Sequence, residues 1–396
     1  VIKNNVQNKV DRSSCTGCGL CVSVCHQKAI KLVEHDDGFL YPNISINCDN
    51  CGVCLNSCPI DHLLHSPLDS DSLSAYSYRL SDRDELRKSA SGGAATAMML
   101  YELSRKGIIY TCSYDSDFKS SRIIKINEKS QLQTVKGSKY CESMPPNYVL
   151  IKNELKLGAE ILFIGLPCQI AALKKYTGET DNLITVGLIC TGKGSRILLR
   201  KNTEFLVKKF NSRILSFNER FKKKNWLVPW MNVTFENGKK CSRILGNTPY
   251  GMLCHKLIRR SCFDCKYKIS NAPEDILIGD AWGAEVYSKK AFDSMGCSLI
   301  IGINEKGKKY VSNIKGIMEE ISLDEALKCN HAIDSNTIKD KFYNVDIQML
   351  HTNSLEEIVI KNIGVRGMLL NNIRNTLKYI LPVPIVKTIL RKKHSF

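Results

Sequence analysis

Four cysteines within eleven residues, Cys15, Cys18, Cys21 and Cys25 in "CTGCGLCVSVC", recur 33 residues later as Cys48, Cys51, Cys54 and Cys58 in "CDNCGVCLNSCP". The spacing C-x2-C-x2-C-x3-C sets three thiolates on one tight loop, within reach of three iron corners of a cubane, and leaves the fourth corner to a cysteine from elsewhere. In a two-cluster arrangement Cys15, Cys18 and Cys21 take Cys58, and Cys48, Cys51 and Cys54 take Cys25. Zinc needs four ligands per ion and has no use for a crossed, three-plus-one pattern, so the spacing predicts two [4Fe-4S] clusters. Pro59 follows the second run, and His26 stands at the matching place after the first.

Four of the remaining cysteines have informative surroundings. Cys168 in "FIGLPCQIAAL" lies just past an apolar strand at a helix start, where the helix dipole and unpaired amides favour a thiolate. Cys190 in "TVGLICTGKGS" ends a second such strand, and Cys262 and Cys265 form the two-ligand hook "SCFDC". The spacing admits two readings. These four close around a third cluster at the carboxyl edge of a sheet, where open α/β folds bind ligands. Alternatively, only the hook binds metal, and Cys168 and Cys190 are small buried hydrophobes.

The elements that position these groups follow from the pattern. The two cysteine runs flank "AIKLVEHDDGFLYPNI", which alternates on both sides of Asp37-Gly38 and predicts a hairpin in a small two-halved module over residues 8–64. Residues 65–88 are Ser/Asp-rich and read as a linker. From residue 89 helices and strands alternate. "SASGGAATAMMLYELSRKG" is a helix closed by Gly107, and "AEILFIG" and "NLITVGLI" are buried strands, each followed by a loop and a helix. "WMNVTFENGKKC" reads as a hairpin and "EDILIGDAWG" as a strand running into a glycine turn. The expected fold class is α+β / α/β: an N-terminal bacterial-type 2[4Fe-4S] ferredoxin domain (1–66), a linker (67–88), a mixed α/β domain in two halves (89–195 and 196–330), and a basic helical tail (331–396).

The 396 residues are 43% hydrophobic, enough for domains with real cores. Eighteen cysteines without a secretory leader read as reduced thiols and metal ligands of a cytoplasmic protein; the chain opens on Val1, so a short upstream piece is expected. No apolar run reaches the roughly 18 residues of a membrane span. The formal charge of +18 falls when clusters are counted, since each oxidised cubane with four thiolates carries a net charge of about −2. Residues 1–66 hold five Lys/Arg against six Asp/Glu, so the whole excess lies in the rest of the chain. A basic body suits an anionic cofactor, an acidic partner or an anionic membrane. Nucleic acid is not expected, because the module where metal is surest has no positive excess.

Six ordered segments, "SGGAATAMML", "VKGSKYCES", "GLPCQIAAL", "DNLITVGLICTG", "RRSCFDCKYK" and "DILIGDAWG", resemble the coenzyme F420 hydrogenase/dehydrogenase beta-subunit family, over roughly residues 8–300 with the ferredoxin module in front. The resemblance implies an iron-sulfur flavoprotein oxidoreductase in which FAD beside a cubane exchanges a hydride with the deazaflavin coenzyme while clusters carry single electrons. It also implies that Cys168, Cys190, Cys262 and Cys265 hold a third [4Fe-4S] cluster, and that residues 89–330 are the flavin-binding domain. A flavin suits a chain that must join one-electron carriers to two-electron chemistry. Its expected contacts are the helix-opening turn Ser91-Gly92-Gly93 with Thr96 one turn on, the basic loop Lys136, Ser138 and Lys139, and Asp280, which either accepts from a ribose or ring group or caps its turn; Trp282 is expected to pack. No catalytic residue is assigned. Thr191 stands where many members carry histidine, and Lys193-Gly194 where valine-proline is usual, so the acceptor is either the deazaflavin or another molecule, soluble or lipid-linked. Bacterial members also occur beside cell-surface polysaccharide genes, and the Lys/Asn/Ile-rich composition fits such a source. A redox partner protein or soluble electron carrier is implied as donor, and an electron-transfer subunit serving a partner enzyme is the alternative function.

Residues 365–396 hold seven Lys/Arg and no acid. Leu369, Leu370, Ile373, Leu377, Ile380 and Leu381 share one helical face. Such a helix either lies in the headgroup region of the inner face of the cell membrane, near lipid-linked sugars, or docks that face on the protein's own core; docking is the expectation.

Overall fold

The structure, a computed structural model, describes residues 4–60 and 73–381. The first part is the expected module. Strands β1 (Ile30–Glu34) and β2 (Leu40–Ile44) pair antiparallel about Asp37-Gly38, and the two cysteine runs wrap the short helices Leu20–Val24 and Val53–Asn56. Each of these helices is entered through a left-handed glycine, Gly19 (φ 79°) and Gly52 (φ 76°), at equivalent places in the repeat. A side chain there would be strained, which explains the glycine between the second and third cysteine of each run.

The body is built on an eight-stranded mixed sheet. Its strands are β3 (Ser74–Arg79), β4 (Ile108–Tyr114), β5 (Ser121–Ile126), β6 (Ile161–Gly165) and β7 (Leu183–Leu188), a three-stranded side sheet of β8 (Ile214–Phe221), β9 (Trp230–Phe235) and β10 (Lys240–Ile244) intervenes, and β11 (Ile276–Asp280), β12 (Ser298–Gly302) and β13 (Ile317–Ile321) complete it, in the order β13-β3-β12-β11-β7-β6-β4-β5. β4, β6, β7 and β11 run parallel; β5 and β12 flank them antiparallel. β6 is buried at all five positions, as an interior parallel strand covered on both faces must be. The helices Ala94–Ser104, Tyr148–Lys156 and Pro167–Thr177 cover the sheet, the last with proline at its first turn, where a missing N–H costs nothing. Cys18 and Leu20 of the module share one apolar cluster with Tyr148, Phe163 and Ile170 of the body, so module and body are packed together.

Three expectations are corrected. Part of the expected linker is sheet: β3 pairs antiparallel with both β12 and β13, and Arg83–Lys88 is a helix capped by Asp82; residues 61–72 lie outside the described part. "SAYSYR" escapes notice because its alternation is carried by small and hydroxyl side chains, with Ala75, Ser77 and Tyr78 buried. The helix begun at Ala94 ends at Ser104, and it is Lys106, not Gly107, that takes the left-handed turn (φ 64°); Gly107 is instead crowded by the Glu102 side chain. The third concerns the tail. The helix Leu355–Ile380 is kinked at Gly364 (φ 66°), and its second half docks through polar side chains: Asn371 and Asn375 donate to the Gly246 carbonyl at 2.8 and 3.1 Å, and Tyr379 meets Trp230 edge-on at 5.0 Å. Of the apolar residues expected to dock, Leu369, Leu370, Ile373, Leu377 and Ile380 stay in solvent.

Candidate functional site

The crossed cysteine sets come together in space. Cys15, Cys18, Cys21 and Cys58 line one pocket of the module, and Cys25, Cys48, Cys51 and Cys54 line a second, with Cys54 on the wall shared by both. Burial pushes the Cys18, Cys21 and Cys54 thiols above their ordinary range. Thiols so placed ionise only where a bound metal supplies compensating charge, which suits the donor set to iron.

A third cysteine pocket lies at the carboxyl edge of the parallel strands. Cys168 follows β6 at the start of the helix Pro167–Thr177, Cys190 follows β7, and Cys262 and Cys265 lie in and after a short 3-10 turn, Arg260–Asp264; all four line this pocket. Burial pushes the Cys168 thiol above its ordinary range, against the pull expected of the helix start. Burial likewise pushes Cys190 up to about 12. The Ser261 hydroxyl and one carboxyl oxygen of Glu274, both on this wall, are buried without a hydrogen-bond partner. Four sulfurs around a space edged by unsatisfied polar atoms fit a bound cluster.

Between this pocket and the module lies a buried charge triad. Arg259 donates to Glu142 at 2.8 Å and Lys193 lies 3.0 Å from the same carboxylate oxygen, with the Arg259 and Glu142 side chains wholly inaccessible. Arg259 also donates to the Cys15 carbonyl at 2.6 Å, lies over the Tyr41 ring at 4.2 Å, and has Nη2 3.4 Å from Cys15 Sγ. Lys193 donates to the Thr16 carbonyl, and Glu142 accepts from the Leu40 amide at 2.7 Å. The two cations hold the Glu142 carboxyl below its ordinary range despite burial. Two cations against one carboxylate leave a net positive charge between the inner module pocket and the third pocket. Tyr148 donates to the Cys18 carbonyl at 2.8 Å and Tyr267 to that of Pro59 at 3.0 Å, bracing the same junction.

Behind the third pocket opens a cavity of about 480 Å³, within the usual size range of cofactor sites. It is lined by Ser91, Gly93, Thr96, Lys136, Ser138, Lys139 and Asp280, and by Cys190 and Lys193 from the third pocket. Gly92 is not on its wall. A side chain there would collide with the Tyr78 carbonyl oxygen and the Ser298 amide, so Gly92 serves the close approach of backbone to β3 and β12. Gly93 brings no capping side chain to the helix it opens, the Ala94 amide donates to the Ser298 hydroxyl at 3.4 Å, and the first turn of the helix lines the cavity. Thr96 pairs with Ser89 (2.9 Å) and Ser91 donates to the Cys297 carbonyl (2.7 Å). Lys136 pairs with Glu85, and Lys139 donates to the carbonyls of Val135, Lys136 and Gly137. Asp280 is gripped by both Nη atoms of Arg220, at 2.8 and 3.2 Å. Trp282 stacks on Trp226 at 4.9 Å as well as lining the cavity.

Sequence reasoning missed Arg220, Glu142, Arg259 and the cavity-lining His255. The available signal was adjacency: Glu142 sits within "KGSKYCES" and Arg259 directly precedes "RSCFDC".

Paired cysteine runs in a ferredoxin fold, packed on a mixed α/β body, define an iron-sulfur electron-transfer protein. Residues 158–326 match the family model for the C-terminal part of the beta subunit of coenzyme F420 hydrogenase/dehydrogenase, and residues 14–62 match that of the 4Fe-4S dicluster domain. The body thus carries a domain of the coenzyme F420 hydrogenase/dehydrogenase beta-subunit family over residues 158–326, with a dicluster ferredoxin module at its N-terminal side. A ferredoxin of Methanocaldococcus jannaschii, described as uncharacterized, is 34% identical over 55 residues, 14% of this chain and 71% of that one. A chain of the F420-reducing [NiFe] hydrogenase complex from Methanosarcina barkeri shares 18% identity, with 76% of this chain and 94% of that chain covered, at a TM-score of 0.44.

Proposed function

We propose that this protein is an iron-sulfur flavoprotein oxidoreductase that relays electrons through three [4Fe-4S] clusters to FAD in the large cavity. The observation that carries this reading is serial contact between four spaces. The two module pockets share Cys54, the nearer module pocket and the third cysteine pocket share Thr16, and the third pocket and the cavity share Cys190, Gly192 and Lys193. The clusters would supply one-electron steps, and the flavin would join these to exchange of a hydride with the deazaflavin coenzyme or another acceptor.

The chain's own residues have definable parts. Cys15, Cys18, Cys21 and Cys58 would hold the cluster nearest the body, Cys25, Cys48, Cys51 and Cys54 the outer one, and Cys168, Cys190, Cys262 and Cys265 the third. Arg259 and Lys193 place fixed positive charge between the inner two sites and exclude water from the gap. Ser91, Gly93 and Thr96 would meet the dinucleotide at the helix start, and Lys139 brings a cation to the cavity wall. The Arg220–Asp280 pair presents a neutral, rigid edge suited to hydrogen bonding with a ring or ribose. Thr191 and Lys193 on the cavity wall favour an acceptor other than the deazaflavin.

The test is anaerobic purification with iron, sulfide and flavin counted, followed by mixing the reduced protein with the deazaflavin coenzyme and candidate acceptors. About twelve irons and one FAD per chain are expected. About eight irons without flavin would reduce the protein to its ferredoxin half. Bound FAD with no turnover on any acceptor would make it an electron-transfer subunit serving a partner enzyme.

A further inference from the structure

We propose that the helical segment 365–380 docks the protein on an anionic membrane surface. The proposal is independent of the redox reading, for it rests on one helix and its surroundings. Beyond the kink at Gly364 the helix turns Asn371, Asn375 and Tyr379 to the body, where they engage Gly246, Asn247 and Trp230. On a 100° helical wheel these residues fall opposite Leu369, Ile373, Leu377 and Ile380. Those four are 54%, 56%, 47% and 58% exposed, and Val365 and Leu370 beside them are 54% and 57% exposed. A soluble surface that isolates its large apolar side chains does not need six on one face of a single helix.

Charge decides what covers the face. Arg366 and Arg374 are exposed on the same segment. From residue 358 to 396 the sequence holds eight Lys/Arg and no Asp or Glu. A second copy would bring its own identical cations against this row, and an apolar protein groove would have no use for the two arginines. A bilayer with anionic headgroups accepts both: the leucines and isoleucines enter the acyl boundary and the arginines meet the phosphates. The polar docking of the opposite face holds the helix lengthwise along the surface, in the orientation of an interfacial helix. None of the helices in the described residues is long and apolar enough to cross a membrane.

The experiment is sedimentation of the full cluster-loaded chain with vesicles of phosphatidylcholine containing one part in four phosphatidylglycerol (roughly 25%, enough to set a negative surface potential), and with phosphatidylcholine alone. The expected result is binding to the anionic vesicles, weakened by salt and weak on the neutral ones. The triple variant Leu369→Ser, Ile373→Ser, Leu377→Ser should bind at least ~tenfold more weakly, with the visible iron-sulfur spectrum and far-UV signal unchanged to show that it is folded. Analytical ultracentrifugation of both proteins accompanies it. Failure of the wild-type chain to sediment overturns the proposal, and a dimer that the triple variant dissociates would show instead that a second copy covers the face. Undiminished vesicle binding by the variant also overturns it, since other parts of the basic body would then be responsible.

Discussion

Nη2 of Arg259 lies 3.4 Å from the sulfur of Cys15, a residue 244 positions away, and Nε of the same guanidinium donates to the Cys15 carbonyl at 2.6 Å. A fixed cation and a hydrogen bond beside a ligand sulfur stabilise the more negative, reduced form of a cluster. Replacing Arg259 with methionine should therefore make the midpoint potential of one ferredoxin-type cluster more negative while leaving the other in place. A redox titration followed by electron paramagnetic resonance reads both, and equal movement of the two would refute the assignment. Arg259→Lys, which keeps the charge and loses the fork, should show a smaller displacement.

Glu142 joins the two cations of the triad and caps the Leu40 amide. Glu142→Gln leaves Arg259 and Lys193 buried without the carboxylate that pairs them, at a cost of about 3–5 kcal/mol, to be read as loss of thermal stability. Because the folded carboxyl is held below its ordinary value, its contribution is complete above the unfolded pKa of about 4.3 and is lost as pH falls through the lower folded value. The wild-type protein should thus lose stability in acid more steeply than the glutamine variant.

Glu219 behaves oppositely. It is buried, accepts from the Tyr140 amide at 3.0 Å and from the Tyr250 hydroxyl, and burial pushes its carboxyl up to about 7. The folded state then holds a proton that the unfolded chain releases near a pH of about 4.3. This residue's contribution is therefore greatest below that point and declines until pH reaches about 7. Chemical denaturation at pH 5 and pH 7.5 (roughly spanning the window) should differ by roughly 3 kcal/mol from this group, and Glu219→Gln should remove that difference.

Gly92→Ala is expected to destabilise the body by about 1–3 kcal/mol or more. The new methyl would press on the backbone of Tyr78 and Ser298, and backbone cannot swing aside as a long side chain does. Loss of flavin without loss of melting temperature would show that Gly92 matters to the cofactor and not to the β3–β12 contact.

Cys262→Ser should remove about four irons and leave the two ferredoxin-type signals. Retention of all iron would dissolve the third site, and loss of all iron would show that the body's pocket and the module form one cooperative unit.

The module's cysteines were legible because ligand spacing within a tight loop is set by local geometry alone. Cys168 and Cys190 were readable as strand-end residues, but their meeting with Cys262 and Cys265 depends on a parallel sheet that spacing leaves undetermined. β3 went unseen because its buried positions are Ala75, Ser77 and Tyr78, whose alternation carries little hydropathy contrast. Lys193 stood out as a departure from the family pattern, yet its partner Glu142 lies 51 positions earlier and no periodicity links the two. The tail's amphipathic face was plain, but which side docks was decided by the Gly246 carbonyl, a backbone acceptor matched to Asn371 and Asn375.

Thr16 stands on the wall of both the inner module pocket and the third cysteine pocket, and Cys18 is embedded in the body's apolar cluster. The separation across that joint is consequently frozen by folding. A carrier domain that swings between donor and acceptor slows as its medium thickens; here the transfer rate between these two stations should be indifferent to added glycerol.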